Sequence, residues 1–169
     1  MWIQKLIFTL SVFSLFKCAI PHKLNVAAIE YTYIAASKTN KKGAHIRYRK
    51  RIPLIEKLDP KIWNIEQFNN KIAYNIRGHI TSAGHSINRI KKIKTKKEII
   101  DNTLYIIHYV LIKNNPGKEN ANIMGYNYVQ TYTHKITQDI KKVKIELRHQ
   151  LLAKEHTNTL MTEENINIK

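Results

Sequence analysis

The chain has one cysteine, five glycines, four prolines and twelve acidic residues among 169. A single thiol excludes a disulfide framework and any zinc site built on cysteines. The scarcity of Gly and Pro excludes collagen-like and proline-rich low-complexity chains, and 43% hydrophobic content is too much for general disorder. No apolar run reaches the roughly 20 residues that a membrane-spanning helix needs. No Asn-x-Ser/Thr sequon occurs, so N-glycosylation plays no part.

What is abundant is isoleucine, lysine and asparagine, with 27, 23 and 16 copies. The set matches AT-rich codons, so part of the formal charge of +17 is compositional rather than functional. The length suits one domain.

The N-terminus reads as an address. Residues 6–16, LIFTLSVFSLF, follow Lys5 and have the length of a signal-peptide core. The expectation is a secreted product with a signal over residues 1–19. The cleavage point is undefined, because cuts after Ala19 or Cys18 put Lys17 or Phe16 where a small residue is preferred. The alternatives are a membrane anchor at residues 6–16 and an organelle presequence. Removal near residue 19 takes Cys18 with it and leaves a disulfide-free mature chain.

Residues 20–52 show no sustained apolar period and read as a basic, mostly irregular arm. Lys23, Lys38, Lys41, Lys42, Arg47, Arg49, Lys50 and Arg51 face only Glu30, a net of +7. Residues 53–156 read as a helical domain. Asp59-Pro60 resembles a helix start. From there Ile62, Ile65, Ile72, Ile76, Ile80, Ala83, Ile87 and Ile90 fit within an arc of about 80° on a helix. Thr95-Lys96-Lys97-Glu98 matches a capping box, and Asn114-Asn115-Pro116-Gly117 a stop. Its core from Leu104 to Ile112 suits a buried strand as well, and the length between the two signals decides for helix. Val129, Tyr132, Ile136, Ile140, Val143, Leu147 and Leu151 form a third stripe in an eleven-residue repeat. The expected fold is all-α: an elongated up-down-up bundle of three helices, or four if the first breaks near Gly78 or Gly84. Residues 157–169 read as a polar tail.

The chemistry is sparse. His79 and His85 lie six apart, about 600° of helix rotation, and cannot chelate one ion from a straight helix. His108 reads as a core-edge histidine bonded to a polar neighbour, and His134 and His149 need tertiary packing to find partners. No nucleophile elbow, phosphate loop or dinucleotide fingerprint occurs. No catalytic residue, metal or cofactor is expected, and the reading is non-enzymatic.

The basic clusters remain. Arg47, Arg49, Lys50 and Arg51 close the arm, and Arg89, Lys91, Lys92, Lys94, Lys96 and Lys97 form a second group. Lys135, Lys141, Lys142, Lys144 and Arg148 form a third, diluted by Asp139 and Glu146. As functional features, the first two are candidate sites for a polyanion: a glycosaminoglycan, a nucleic acid or an anionic membrane surface. As plain structure, such clusters are a solvated surface or the end of a helix. Arg51 is also a candidate convertase site, releasing a chain that begins at Ile52. The leading expectation is a small secreted helical protein acting through its surface on an anionic or protein partner. A helical carrier of lipid or a small apolar ligand, and an intracellular RNA- or DNA-binding protein, are the alternatives.

Overall fold

Two dipeptides set the tightest turns. Asn69 and Asn70 have φ of 45° and 55°, and Asp101 and Asn102 have 47° and 60°. Two successive left-handed residues make a type I′ turn, whose twist matches that of paired strands, and Asn and Asp tolerate that region well. Phe68 therefore pairs with Lys71 across the first loop and Ile100 with Thr103 across the second.

The computed structural model describes residues 23–82, 86–117, 122–152 and 157–168. Among the described residues there are nine strands and no helix. They are β1 (Asn25–Thr39), β2 (His45–Pro53), β3 (Lys61–Phe68), β4 (Lys71–Thr81), β5 (Ser86–Ile100), β6 (Thr103–Pro116), β7 (Ile123–Lys135), β8 (Lys142–Leu151) and β9 (Asn158–Asn167). One sheet has the order β2-β1-β7-β4-β3, the other β5-β6-β8-β9. All pairs are antiparallel except β6 with β8, which run parallel because β7 crosses through the other sheet between them.

The sheets pack face to face. Alternate residues of β4 (Ile72, Tyr74, Ile76, Ile80) and of β7 (Tyr128, Tyr132) meet Leu104, Ile106, Val110 and Ile112 of β6 and Val143, Ile145 and Leu147 of β8. Period-two burial along β4, and along β6 from Leu104 to Val110, shows each strand giving one face to the core. Gly78 interrupts the row in β4, and a β-carbon there would strike the ring of Tyr128, which crosses that gap to reach His149.

This architecture overturns the helical bundle. The supposed first helix comprises β3, β4 and the start of β5, and Ile72, Ile76 and Ile80 of its stripe are buried on one strand face because fours are also multiples of two. The capping-box residues Thr95–Glu98 lie inside β5, and the stop signal ends β6. The third stripe is divided between β7, β8 and the connection between them, which carries Ile136 and Ile140. The segment read as an irregular arm contains β1 and β2, and the polar tail contains β9. With no helix among the described residues, neither a helical effector nor a carrier opening amphipathic helices is possible. The secretory reading concerns residues 1–19, outside the described residues.

From β2 the chain returns across the outer face of the first sheet to β3. Asn127 on β7 holds that crossing. Leu58 N–H donates to its Oδ1 at 3.0 Å and its Nδ2 donates to Glu56 O at 2.8 Å. His79 Nδ1 donates to Leu58 O at 2.8 Å. Asn127 is 6% exposed, so its loss strands two backbone groups. Asn127→Leu should cost about 2 kcal/mol in urea unfolding and accelerate exchange of the Leu58 amide. An unchanged exchange rate would refute the role of the latch.

Candidate functional site

β1 pairs with β7 only as far as Glu30. From Tyr31 to Thr39 its sole strand partner is β2, so residues 31–53 form a two-stranded ribbon extending from the sheet. The pairing sorts the side chains. Tyr33 faces Arg51, Ala35 faces Arg49 and Ser37 faces Arg47, so the three arginines share one face with Tyr31 and Tyr33. Alternate residues repeat at about 6.8 Å, so the guanidinium groups form a row. No acid occurs in residues 31–53. Lys50 lies on the opposite face, among Ile34, Ile46, Tyr48, Ile52 and Lys38.

Arg51 is held in place. Its guanidinium lies 4.6 Å from the Tyr31 ring centroid and 5.6 Å from that of Tyr33, and its Nε donates to the Tyr33 hydroxyl at 3.2 Å. A hydrogen bond with Tyr31, then one from Arg51, holds the Tyr33 hydroxyl below its ordinary pKa. Arg47 and Arg49 lie opposite the small Ser37 and Ala35, and a shallow groove of about 410 Å³ beside them is lined by these residues and by Ala36 and Tyr48 from the other face. As a candidate processing residue, Arg51 sits inside β2, and a protease reading it must first take the strand from its pairing with Tyr33.

The second cluster belongs to the other sheet. Arg89, Lys91, Lys92, Lys94, Lys96 and Lys97 lie along β5, an edge strand with a bulge between Ile90 and Lys92. Lysines on an edge keep its free backbone groups from pairing with another chain. Lys96 is spent on Glu98, 3.0 Å away. Lys97 pairs with Ile106 on the core-facing side, and its charge acts on His108 and His134. In the third group, Glu146 receives Lys144 at 3.3 Å and Arg148 at 2.7 Å, and Lys144 also reaches Glu163 at 2.8 Å. The structure does not merge the clusters: β2 and β5 are edge strands of different sheets.

A buried polar cluster escaped the sequence reading. His108 on β6 is fully buried, with Nε2 2.6 Å from the Tyr74 hydroxyl and Nδ1 3.0 Å from Thr95 Oγ1. Its ring lies 4.1 Å from that of Tyr132 and 6.1 Å from that of His134. His134 is 5% exposed, and neither ring nitrogen has a hydrogen-bond partner. Burial, then His134 and Lys97, push His108 down to about 3, and burial and Lys97 push His134 to about 4. Both rings are therefore neutral at pH 7. The readable signal was Tyr74, Tyr132 and His134 at period-two positions.

Among the described residues no group of three or more His, Cys, Asp or Glu could hold a metal ion. No helix among them is long and apolar enough to cross a membrane. The chain matches no protein-family model, no curated protein and no solved structure.

Proposed function

We propose that this protein is a non-enzymatic β-sandwich module that binds an extended sulfated polysaccharide along the arginine face of its β1–β2 ribbon. The observation that carries this is the unbroken row Arg47, Arg49 and Arg51 on one face, with no acid in residues 31–53. Arginine forks match sulfate oxygens in pairs, and small residues opposite two of them leave a groove for a chain. The tyrosines on that face carry Arg51 on their rings, which leaves little platform for nucleic-acid bases. The apolar run at residues 6–16, read as a secretory signal, agrees with an extracellular ligand.

Heparin affinity measured against salt tests the proposal. Replacing Arg47, Arg49 and Arg51 together with Gln should lower the log–log salt slope by about 2 to 3, because three fewer counterions are released. Replacing Lys92, Lys94 and Lys96 should change it by less than half as much. Equal slopes for the two triple variants would remove the ribbon from the site. Duplex DNA bound more tightly than heparin at equal salt would replace the polysaccharide with a nucleic acid.

A further inference from the structure

The ribbon of residues 31–53 has a second face, on the side away from the arginine row. The register puts Ile34 opposite Lys50, Ala36 opposite Tyr48 and Lys38 opposite Ile46, with Ile52 on the same face at the base. Ile34, Ile46 and Tyr48 are large apolar side chains, yet they are 41%, 41% and 42% exposed. We propose that this face docks flat on an anionic lipid surface, with its isoleucines and Tyr48 seated where headgroups meet acyl chains. The inference goes beyond the polysaccharide reading and uses none of the arginines that reading needs.

The side chains are distributed as such a boundary requires. Alternate residues of a strand repeat at about 6.8 Å, so the row from Ile46 to Ile52 spans about 20 Å on one level. An amphipathic element lies in the interfacial plane when its apolar side reaches only that boundary and cations flank it. Tyrosine has an apolar ring and a polar tip, which suits headgroup depth. Lysine stems lie along apolar neighbours while the ammonium reaches phosphate. Lys38 Nζ is 5.8 Å from the Tyr48 ring centroid, so cation and ring sit together on this face.

The tip of the ribbon adds charge. Asn40 Oδ1 accepts the backbone N–H groups of Lys42 and Ala44, each at 2.9 Å, and so fixes the turn that carries Lys41 and Lys42. With Lys38 and Lys50 these make four lysines around the apolar side chains, and no acid occurs in residues 31–53.

That charge selects the occupant. A second copy docked on this face would bring Lys38 and Lys50 of both chains together, in molecules of formal charge +17. An anionic bilayer instead attracts every lysine, each contributing about fivefold in binding. It also accepts isoleucine without a shaped partner surface. Docked in this way, the protein keeps the arginine row on its solvent side.

The test is cosedimentation of the full chain with vesicles of phosphatidylcholine, alone or mixed with phosphatidylserine. The expected result is binding to the mixed vesicles that weakens with salt. Ile34→Thr with Ile46→Thr keeps β-branched residues in the strands and should weaken binding about tenfold or more. The urea midpoint and the heparin salt slope of that variant should stay unchanged. Lys38→Gln with Lys50→Gln should cost about fivefold per lysine. Tyr48→Trp should add fluorescence that brominated acyl chains quench, whereas Ser37→Trp, on the arginine face, should add fluorescence that they do not. No binding to the mixed vesicles, or binding unchanged in the isoleucine pair, would overturn the proposal. Equal quenching at positions 37 and 48 would overturn the facing. A concentration-dependent dimer that the isoleucine pair abolishes, without vesicle binding, would give this face to a second copy. Vesicle binding that holds while heparin binding fails would support the lipid face and remove the polysaccharide reading alone.

Discussion

Between pH 6.5 and pH 4 this protein should lose stability at about 4 kcal/mol per pH unit and unfold cooperatively within that window. Three histidines produce the slope. His108 is pushed down to about 3, and His134 and His149 to about 4, with burial the largest cause for each. The unfolded chain takes up these protons near pH 6.5, the folded chain only near pH 3 to 4. In between, the unfolded state binds more protons, so stability rises with pH and falls on acidification. Each group contributes about 1.4 kcal/mol per pH unit across its window. By pH 4 the three losses sum to about 9 kcal/mol, comparable to the whole stability of an ordinary domain.

His134→Phe isolates one of the three. The ring stacks on Tyr132 at 5.8 Å and 20°, and both its nitrogens are buried without partners. Phenylalanine keeps the ring and removes the unpaired polar atoms, so it should stabilise the protein by about 1–2 kcal/mol at pH 7. It should also flatten the pH slope by about a third. Urea unfolding at pH 7, 6 and 5 measures both. A variant less stable than the parent at pH 7, with the slope unchanged, would show that His134 is paired or exposed.

The other large effect is expected at Gly125. Its φ is +156°, and a β-carbon built there collides with the carbonyl oxygen of Ile80 and lies 3.1 Å from Thr81 Cα. Those atoms are backbone of β4, which pairs with β7 at this point, so they cannot rotate away. On the other side, Gly125 pairs with Ile29 at the bulge in β1. Gly125→Ala must therefore push β7 away from β4 where three strands meet. The expected loss is about 3 kcal/mol or more in urea unfolding. Gly43 is the control: φ is +81° but no atom lies within 4 Å of a β-carbon there. Gly43→Asn should cost under about 1 kcal/mol, since Asn tolerates positive φ. Comparable losses at the two sites would mean that conformational strain, and not the Ile80 contact, governs Gly125.

Much of the core was legible in the sequence although the fold was not. Ile62, Ile72, Ile76, Ile80 and Ile87 of the first stripe are buried, as are Tyr132, Ile136, Ile140, Val143 and Leu147 of the last. Residues four apart lie 40° apart on a helix and on the same face of a strand, so Ile72, Ile76 and Ile80 satisfy both periods. The residues between them break the tie. Tyr74 in β4, and Tyr126 and Tyr128 in β7, occupy strand positions that the helical stripes omit, and the many β-branched isoleucines favour strands. Asn69-Asn70 and Asp101-Asn102 were hairpin turns written without the usual glycine, and so went unread.

By itself, the sequence determined the positive charge, its concentration in residues 38–51 and 89–97, and the near absence of thiols. It also determined which apolar positions leave water, because burial of an isoleucine is favourable in either kind of backbone. Only the tertiary structure decided that Arg47, Arg49 and Arg51 form a row while Lys50 faces away, because facing in a ribbon depends on which residues pair across it. Only it brought His108 to Tyr74, and His149 to Tyr128, across separations that no local pattern spans. Sheets join residues distant in the chain, so their register is settled by the whole core packing at once.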